Sequence, residues 1–260
     1  MTPVLAFDIE TIPDCAGLRK LYELPADLPD ADVAELAFQK RRVQSGGTSD
    51  FLPPHLHRVV VISCVLRNDD GLRIFSIGEP ESDEPAAIQR FFEGINKYVP
   101  QIVSWNGRNF DLPVLVSRGL VHSVTAQCFW QTGADGKDPF RFNNYINRFH
   151  DRHLDLMDVL SLYGMRGSPL DELSRLAGFP GKLGVGGASV WDSYRRGEIA
   201  AIRDYCEADC ANTYLLYLRF QQMRCAIAQD QYRRELDLLR KFVEKQDQGH
   251  WREFLARWTA

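Results

Sequence analysis

Two carboxylates, Asp8 and Glu10, stand two residues apart in the run VLAFDIET. In an extended chain alternate residues share a face, so both acids point the same way with Cα atoms roughly 6–7 Å apart. Phe7 and Ile9 take the opposite face. Two acids on one side of an otherwise apolar strand repel unless something positive lies between them. A wet strand end explains the pair equally well, so taken alone it stays open. A third acid, Asp111, follows SWNGRNF: Trp105 ends a strand, Asn106-Gly107 turns, and Phe110-Asp111 opens a helix. Asp111 alone reads as a helix-dipole complement, although strand ends are where α/β sheets assemble sites. A fourth, Asp209, lies four residues after Tyr205 in DYCEADCANTYLLYLRF, which puts the two on one helix face about 5–6 Å apart. That face otherwise continues through small or apolar residues, where an acid is a poor core choice, although a plain Tyr–Asp hydrogen bond also accounts for the spacing.

The elements that would carry these groups are readable from periodicity. VLAFDIET is a short apolar and β-branched run, a buried first strand. Residues 13–56 hold five prolines, a helical stretch near 30–43 and the flexible SGGTSD, and read as an insertion between the first two strands. HRVVVISCVL and LRIFSIG are two strands joined by the hairpin turn NDDG. EPAAIQRFFEGINKYV has apolar residues at helical spacing behind an acidic lead-in. QIVSWN is a fourth strand, FDLPVLVSRGL a helix, and RHLDLMDVL a fifth strand running into a helix. In SPLDELSRLAG, Ser168 is the expected N-cap and Pro169 the first helical residue. Helices are expected over 189–195 and 198–223. The tail 228–258 carries Tyr232, Leu236, Leu239 and Val243 along one helical face. Strands first and then strand–helix alternation predict a mixed sheet flanked by helices.

Composition bounds the class. The chain has 260 residues, 45% hydrophobic, 11% aromatic and 25% charged, which argues against disorder, a fibrous repeat or a disulfide mini-scaffold. No apolar run approaches the ~20 residues that span a bilayer. The start MTPVLAFDIETIP lacks the basic and long apolar regions of a signal peptide, and no membrane partner is expected. Six cysteines without a C-x-x-C pair fit a reducing cytoplasm. A net charge of −4 disfavours a passive nucleic-acid coat. It is compatible with an enzyme that brings cations to a carboxylate site, since two divalent ions would take the formal total from −4 to 0.

In chain order the sequence presents D-x-E, then N-x-x-x-F-D at a strand-to-helix junction, then Y-x-x-x-D on a late helix. This order resembles the DEDDy 3′–5′ exonucleases of the RNase H-like superfamily. FDIET, SWNGRNFD and YCEAD are similar to the exonuclease domain of family-B DNA polymerases, and more so to free-standing predicted exonucleases related to that domain. HLDLMDVL, GKLGVGGASVWDSY and YCEADCANTYLLYLRF also resemble that free-standing family. The likeness covers roughly residues 1–220. No polymerase domain follows, and the insertion carries no motif of the family.

The resemblance implies an RNase H-like α/β domain over 1–223 and a helical extension over 224–260 packed on it. It implies that Asp8, Glu10, Asp111 and Asp209 hold two Mg²⁺ or Mn²⁺ ions roughly 3.5–4 Å apart. All-oxygen ligands suit such hard cations, and no Cys/His set stands at zinc spacing. Asp8 would bridge the ions, Glu10 and Asp209 would complete the site nearer the attacking water, and Asp111 would serve the leaving 3′-oxygen. Tyr205, with a reference pKa near 10, would position the water rather than act as base. Thr11 and Ile12 would grip and wedge the terminal nucleotide, Asn106 would touch its sugar, and Phe110 would stack on it. Lys182 would neutralise the scissile phosphate, against the simpler reading of a solvated loop lysine.

Lesser candidates complete the reading. Lys137, Arg141, Arg148 and Arg152 interleave with Phe140, Phe142, Tyr145 and Phe149, a mixture that tracks a single strand or merely anchors a loop. His153, Asp155 and Asp158 would support the site from behind. Cys206 and Cys210 are small packing residues. The expected substrate is a single-stranded 3′ end, DNA before RNA. The alternatives are an RNA-trimming enzyme and a non-catalytic end-binding repair accessory, which would be expected to lack one of the acids.

Overall fold

The computed structural model describes residues 2–78, 83–133, 139–164, 167–183 and 190–260. Its centre is a five-stranded mixed sheet in the order β3-β2-β1-β4-β5. The strands are β1 (Val4–Pro13), β2 (His57–Asn68), β3 (Gly71–Ile77), β4 (Gln101–Ser104) and β5 (His153–Asp155). β1 pairs antiparallel with β2 from Val4↔Arg67 to Pro13↔His57, with an irregularity between Glu10 and Thr11. It pairs parallel with β4 only from Val4↔Gln101 to Ala6↔Val103. β2 and β3 are antiparallel across the expected turn, where the Asp70 N–H donates to Asn68 Oδ1 at 3.0 Å. The mixed sheet flanked by helices expected from the sequence is the architecture the chain adopts.

Because β1 is central, its first half, Val4–Phe7, is apolar on both sides, as a strand covered on two faces must be. Leu5, Phe7 and Ile9 pack with α3 (Glu84–Tyr98) and α4 (Asp111–Val121). Val4 and Ala6 pack against α8 (Ile199–Met223), through Ala208, Cys210 and Ala211. Those small side chains bring α8 close: the thiol of Cys210 donates to the Ala6 carbonyl at 3.2 Å. At 1.5 Å per residue, the 25 residues of α8 reach about 37 Å across the sheet.

The stretch read as an irregular insertion forms α1 (Cys15–Tyr22) and α2 (Asp30–Gln44) around their own core of Leu18, Val33, Ala34, Ala37 and Leu52. α1 is capped by Asp14, whose side chain accepts from Gly17 N, a local signal that apolar spacing alone does not reveal. α5 (Leu156–Leu160) is capped by Asp155. α6 (Leu170–Leu176) starts one residue later than expected. Pro169, with ψ 141, is its N-cap, and Ser168 makes no cap. The carbonyl of Pro169 already accepts from Leu173 N, which defines the capping position.

α7 (Val190–Arg195) precedes α8; the glycine-rich stretch 184–189 before it lies outside the described residues. The C-terminal tail forms α9 (Gln229–Glu244) and α10 (Gly249–Arg257). Arg67 on β2 binds Glu235 on α9 through Nε and Nη2 at 2.8 and 2.9 Å. Trp251, Phe254 and Trp258 pack into the core shared with α8. No helix among the described residues is long and apolar enough to cross a membrane.

Candidate active site

The abrupt end of β4 opens the sheet beside β1. Past Ala6 no strand among the described residues covers that edge, and the Ile9 N–H donates instead to Asp111 Oδ1 at 3.2 Å. Asp111 is the first residue of α4 and is brought there by the turn 105–110. Asn106 takes a left-handed φ of 65°, which asparagine tolerates better than most residues. Asp155, from β5, accepts from the Asn106 and Arg108 N–H groups at 2.9 Å each. Leu112 N then donates to Gly107 O at 2.8 Å and starts the helix. Gly107 permits the crossing, since a Cβ there would lie 2.5 Å from Ser104 Cβ and Oγ. Behind them His153 bonds Ser104 Oγ at 2.9 Å and Arg108 at 3.2 Å. His153 and Asp155 thus hold the loop and stay out of the cleft.

On the other face of β1, Asp8 and Glu10 look toward α8. The Cys206 thiol meets the Asp8 carbonyl at 3.5 Å and its carboxylate at 3.6 Å. The ligand atoms of Asp8, Glu10 and Cys206 lie within 4.8 Å of one another. Asp209, on α8 and 3% exposed, receives Lys182 Nζ at 2.9 Å on Oδ2, while its Oδ1 is buried with no hydrogen-bond partner. Lys182 also donates to the Tyr205 hydroxyl. The three chain segments flagged by the sequence therefore meet in one cleft of about 1000 Å³.

The electrostatics are those of anions confined together. Burial, then Asp111, Glu10 and Asp209, push the Asp8 carboxyl well above the carboxylate range, and only Lys182 opposes them. Glu10 is raised by burial and by Asp209, and Asp209 by burial against the pull of Lys182 and Tyr205. Burial takes Asp111 to about 7, though its own N–H and that of Ile9 hold it back. Burial and the neighbouring carboxylates drive the Tyr205 phenol strongly upward, so it stays protonated. The same causes raise Cys206. A thiol that keeps its proton is a donor to Asp8 rather than a metal ligand.

These residues fit divalent cations. An all-oxygen donor set suits hard ions such as Mg²⁺ and Mn²⁺, and the orphaned Asp209 Oδ1 is an acceptor awaiting a positive partner. Crowded carboxylates with raised pKa values are what a bound dication would relieve.

The remaining candidates divide. Thr11, Asn106, Phe110 and Lys182 line the cleft. Ile12 does not: it is 3% exposed under α7 and α8 with Val61, Val190 and Ile202. The strand irregularity after Glu10 accompanies this placement, and Ile12 serves as a core residue, which corrects its expected wedging role. Lys182 is no solvated loop lysine, being tied to Asp209 and Tyr205. In the aromatic–basic stretch, Phe140 and Tyr145 are buried, Arg148 pairs with Asp158, and Arg152 Nε donates to Asn143 O. Lys137 lies outside the described residues.

Sequence reasoning missed Phe51, His57 and Trp191 in the cleft wall. The hint available for Phe51 was its place two residues before the stiff pair Pro53-Pro54. It also missed a second polar group, His250 on α10, whose nitrogens face Asp204 Oδ1 at 3.2 Å and Glu207 Oε2 at 3.4 Å and tie α10 to α8.

Comparison with known proteins follows the same lines. A family model described as "Predicted 3′-5′ exonuclease related to the exonuclease domain of PolB" matches residues 49–258, which include Asp111, Tyr205 and Asp209 but begin after β1. No curated protein matches the chain. Among solved structures it is similar to the family B DNA polymerase from the hyperthermophilic archaeon Pyrobaculum calidifontis, with 17% identity and a TM-score of 0.48. That similarity covers 85% of this chain and 25% of the polymerase, so the chain spans about a quarter of its length.

Proposed function

We propose, since this chain belongs to the family of predicted 3′–5′ exonucleases related to the exonuclease domain of PolB, that it trims single-stranded DNA from the 3′ end and releases nucleoside monophosphates. The observation that supports this reading best is the meeting of Asp8, Glu10, Asp111 and Asp209 in one cleft, with Tyr205 and Lys182 among them. Asp8, whose carboxyl feels each of the other three acids, would help to hold both ions. Glu10 and Asp209 would serve the ion on the side of the attacking water, and Asp111 the one beside the leaving oxygen. Two such cations supply the charge that activates water and steadies the oxygen that departs.

The chain's own groups do the rest. Water attacks the terminal phosphorus as the bond to the 3′-oxygen of the shortened strand breaks, and that oxygen leaves with a proton. Tyr205 remains a phenol at neutral pH, so it orients the water as a hydrogen-bond partner and does not remove its proton. Lys182, 38% exposed at its side chain, has the reach to swing from Asp209 to a phosphate oxygen. Asn106 presents a side chain to the sugar, and Phe110 presents a ring to the base. We take the working compartment to be the cytoplasm, on the scattered spacing of the six cysteines.

The test is incubation with 5′-labelled single-stranded DNA and matched RNA in Mg²⁺, Mn²⁺ or EDTA. A ladder shortening from the 3′ end on DNA, and abolished by EDTA, is expected. Faster trimming of RNA would move the assignment to an exoribonuclease. Binding without shortening in either metal would make the chain an end-binding accessory.

A further inference from the structure

The inserted segment contributes a surface that the exonuclease motifs do not account for. Phe51 is 56% exposed at the mouth of the cleft. Its ring centroid lies 5.2 Å from Phe110 and 5.3 Å from His57, and His57 meets Phe110 edge-on at 5.0 Å. An aromatic left this open forgoes much of the burial that stabilises such a side chain in a core. Flexibility does not explain it, because the backbone beside the ring is braced. The Phe51 N–H donates to Ser49 Oγ at 3.1 Å, and its carbonyl accepts from Arg41 Nε at 3.1 Å. Leu52, the next residue, is 2% exposed in the α1–α2 core, and its carbonyl is bonded to His57 Nε2 at 3.0 Å.

His57 is fixed in turn. Its Nδ1 lies 2.9 Å from Thr11 Oγ1, one residue after Glu10. Burial lowers its pKa, so the ring is neutral at physiological pH: Nε2–H donates to Leu52 O and Nδ1 accepts from Thr11. The insertion, the strand of carboxylates and the first residue of β2 are thereby locked into one aromatic group beside the acids.

We infer that Phe51, mounted on His57 beside Phe110, is a nucleobase-stacking residue that holds the unpaired base at the 3′ terminus of a single strand. The inference rests on the proposed strand-end substrate and goes beyond it by giving the insertion a binding role. Stacking is indifferent to base identity and contributes enough per base to change affinity at least ~5-fold.

The experiment measures fluorescence anisotropy with a 5′-fluorescein oligothymidylate in Ca²⁺. Its last linkage is a hydrolysis-resistant phosphorothioate, and its 3′ residue either carries a base or is abasic. The wild-type chain is expected to bind the base-bearing end at least ~5-fold more tightly than the abasic end. Phe51→Ala should cut that difference at least ~5-fold, Phe110 still offering its ring, and Phe51→Trp should restore it, with unchanged circular dichroism in both variants. Phe51→Ala that keeps the discrimination, or weakens both ends equally, overturns the inference. So does failure of the wild type to bind either end. A Phe51-dependent preference in a protein that never trims DNA supports the stacking site while sinking the hydrolytic reading.

Discussion

Lys182 sets its ammonium 2.9 Å from Asp209 Oδ2, inside the group of acids formed by Asp8, Glu10 and Asp209. A lysine here serves as a resident counter-ion. It lowers the pKa of Asp8, Glu10 and Asp209 against burial and mutual repulsion, and those acids raise its own. A dication entering the cluster must displace or share that ammonium. Lys182→Met is therefore expected to tighten Mn²⁺ binding by about 3–10-fold, as one competing charge is removed. It should also slow trimming at saturating metal, since the phosphate loses its neutralising partner. Calorimetric titration with Mn²⁺ reads the first effect and a labelled 3′ end the second. Weaker Mn²⁺ binding by the variant would show that Lys182 organises the acids rather than competing for them.

The raised carboxylates make a pH prediction with a definite sign. Asp111 goes from an ordinary 3.8 to about 7 in the folded chain, so the folded state holds a proton that the unfolded state has released. Its contribution is full below about pH 4 and lost as pH rises through 7. At 1.36 kcal/mol per pH unit the ceiling is about 4 kcal/mol. Without metal, Asp111→Asn, which keeps an acceptor for Ile9 N–H, should equal the wild type near pH 4 and exceed it by several degrees in Tm at pH 8. Adding Mg²⁺ or Mn²⁺ should raise the wild-type Tm far more at pH 8 than at pH 5. Scanning calorimetry across pH checks both, and a wild-type Tm that rises in parallel with the variant would refute the assignment.

Removing a carboxylate and removing a hydroxyl should separate clearly. Asp8→Ala or Asp209→Ala is expected to abolish trimming, with losses on the order of 10³-fold or more, because each leaves a cation without a ligand. Tyr205→Phe keeps the ring packed and removes only a hydrogen-bonding group whose proton is not titratable at neutral pH. A loss of about 10–100-fold in kcat is expected. Near-normal trimming by Asp8→Ala would overturn the metal assignment.

Much of this site was legible in the sequence because its parts are local: D-x-E on one strand face, F-D at a helix start, Y-x-x-x-D on a helix. The sheet was legible because apolar, β-branched runs such as VVVIS and LRIFSI flank a turn. What escaped detection depends on long-range contact. The Lys182–Asp209 pair spans a loop and a helix, the Phe51–Phe110 contact joins residues 59 apart in number, and the burial of Ile12 goes with a strand irregularity that no residue type announces. His250 meets Asp204 and Glu207 only once α10 folds back on α8.

Gly107 offers a steric test of the turn that delivers Asp111. A Cβ at this position would meet Ser104 Cβ at 2.5 Å. No rotamer of Ser104 relieves a clash with its Cβ, so the backbone must shift. Gly107→Ala should destabilise the chain by about 1–3 kcal/mol and weaken the Ser104–His153 bond. Because Gly107 O anchors the first turn of α4, trimming should fall further than stability alone explains. Denaturant unfolding and kcat on the same preparations test this; a fully stable variant would show that the turn relaxes freely.

Asp155 tests whether the site is positioned from behind. It accepts from Asn106 N, Arg108 N and Asp158 N and is 2% exposed, yet it does not line the cleft. Asp155→Asn can keep the acceptor that serves one side but turns an NH₂ toward a backbone N–H on the other. One unsatisfied buried donor costs about 1–3 kcal/mol, and the strain falls on Asn106, whose φ of 65° depends on those bonds. The loop then relaxes and carries Asp111 with it, and a displacement near 1 Å is enough to lose about 100-fold in rate. The expected signature of positioning is a fall in kcat of about 10–100-fold with KM within about 3-fold, while the Mn²⁺ stoichiometry is retained. A change confined to thermal stability, with kcat intact at low temperature, would reduce Asp155 to a structural cap of α5.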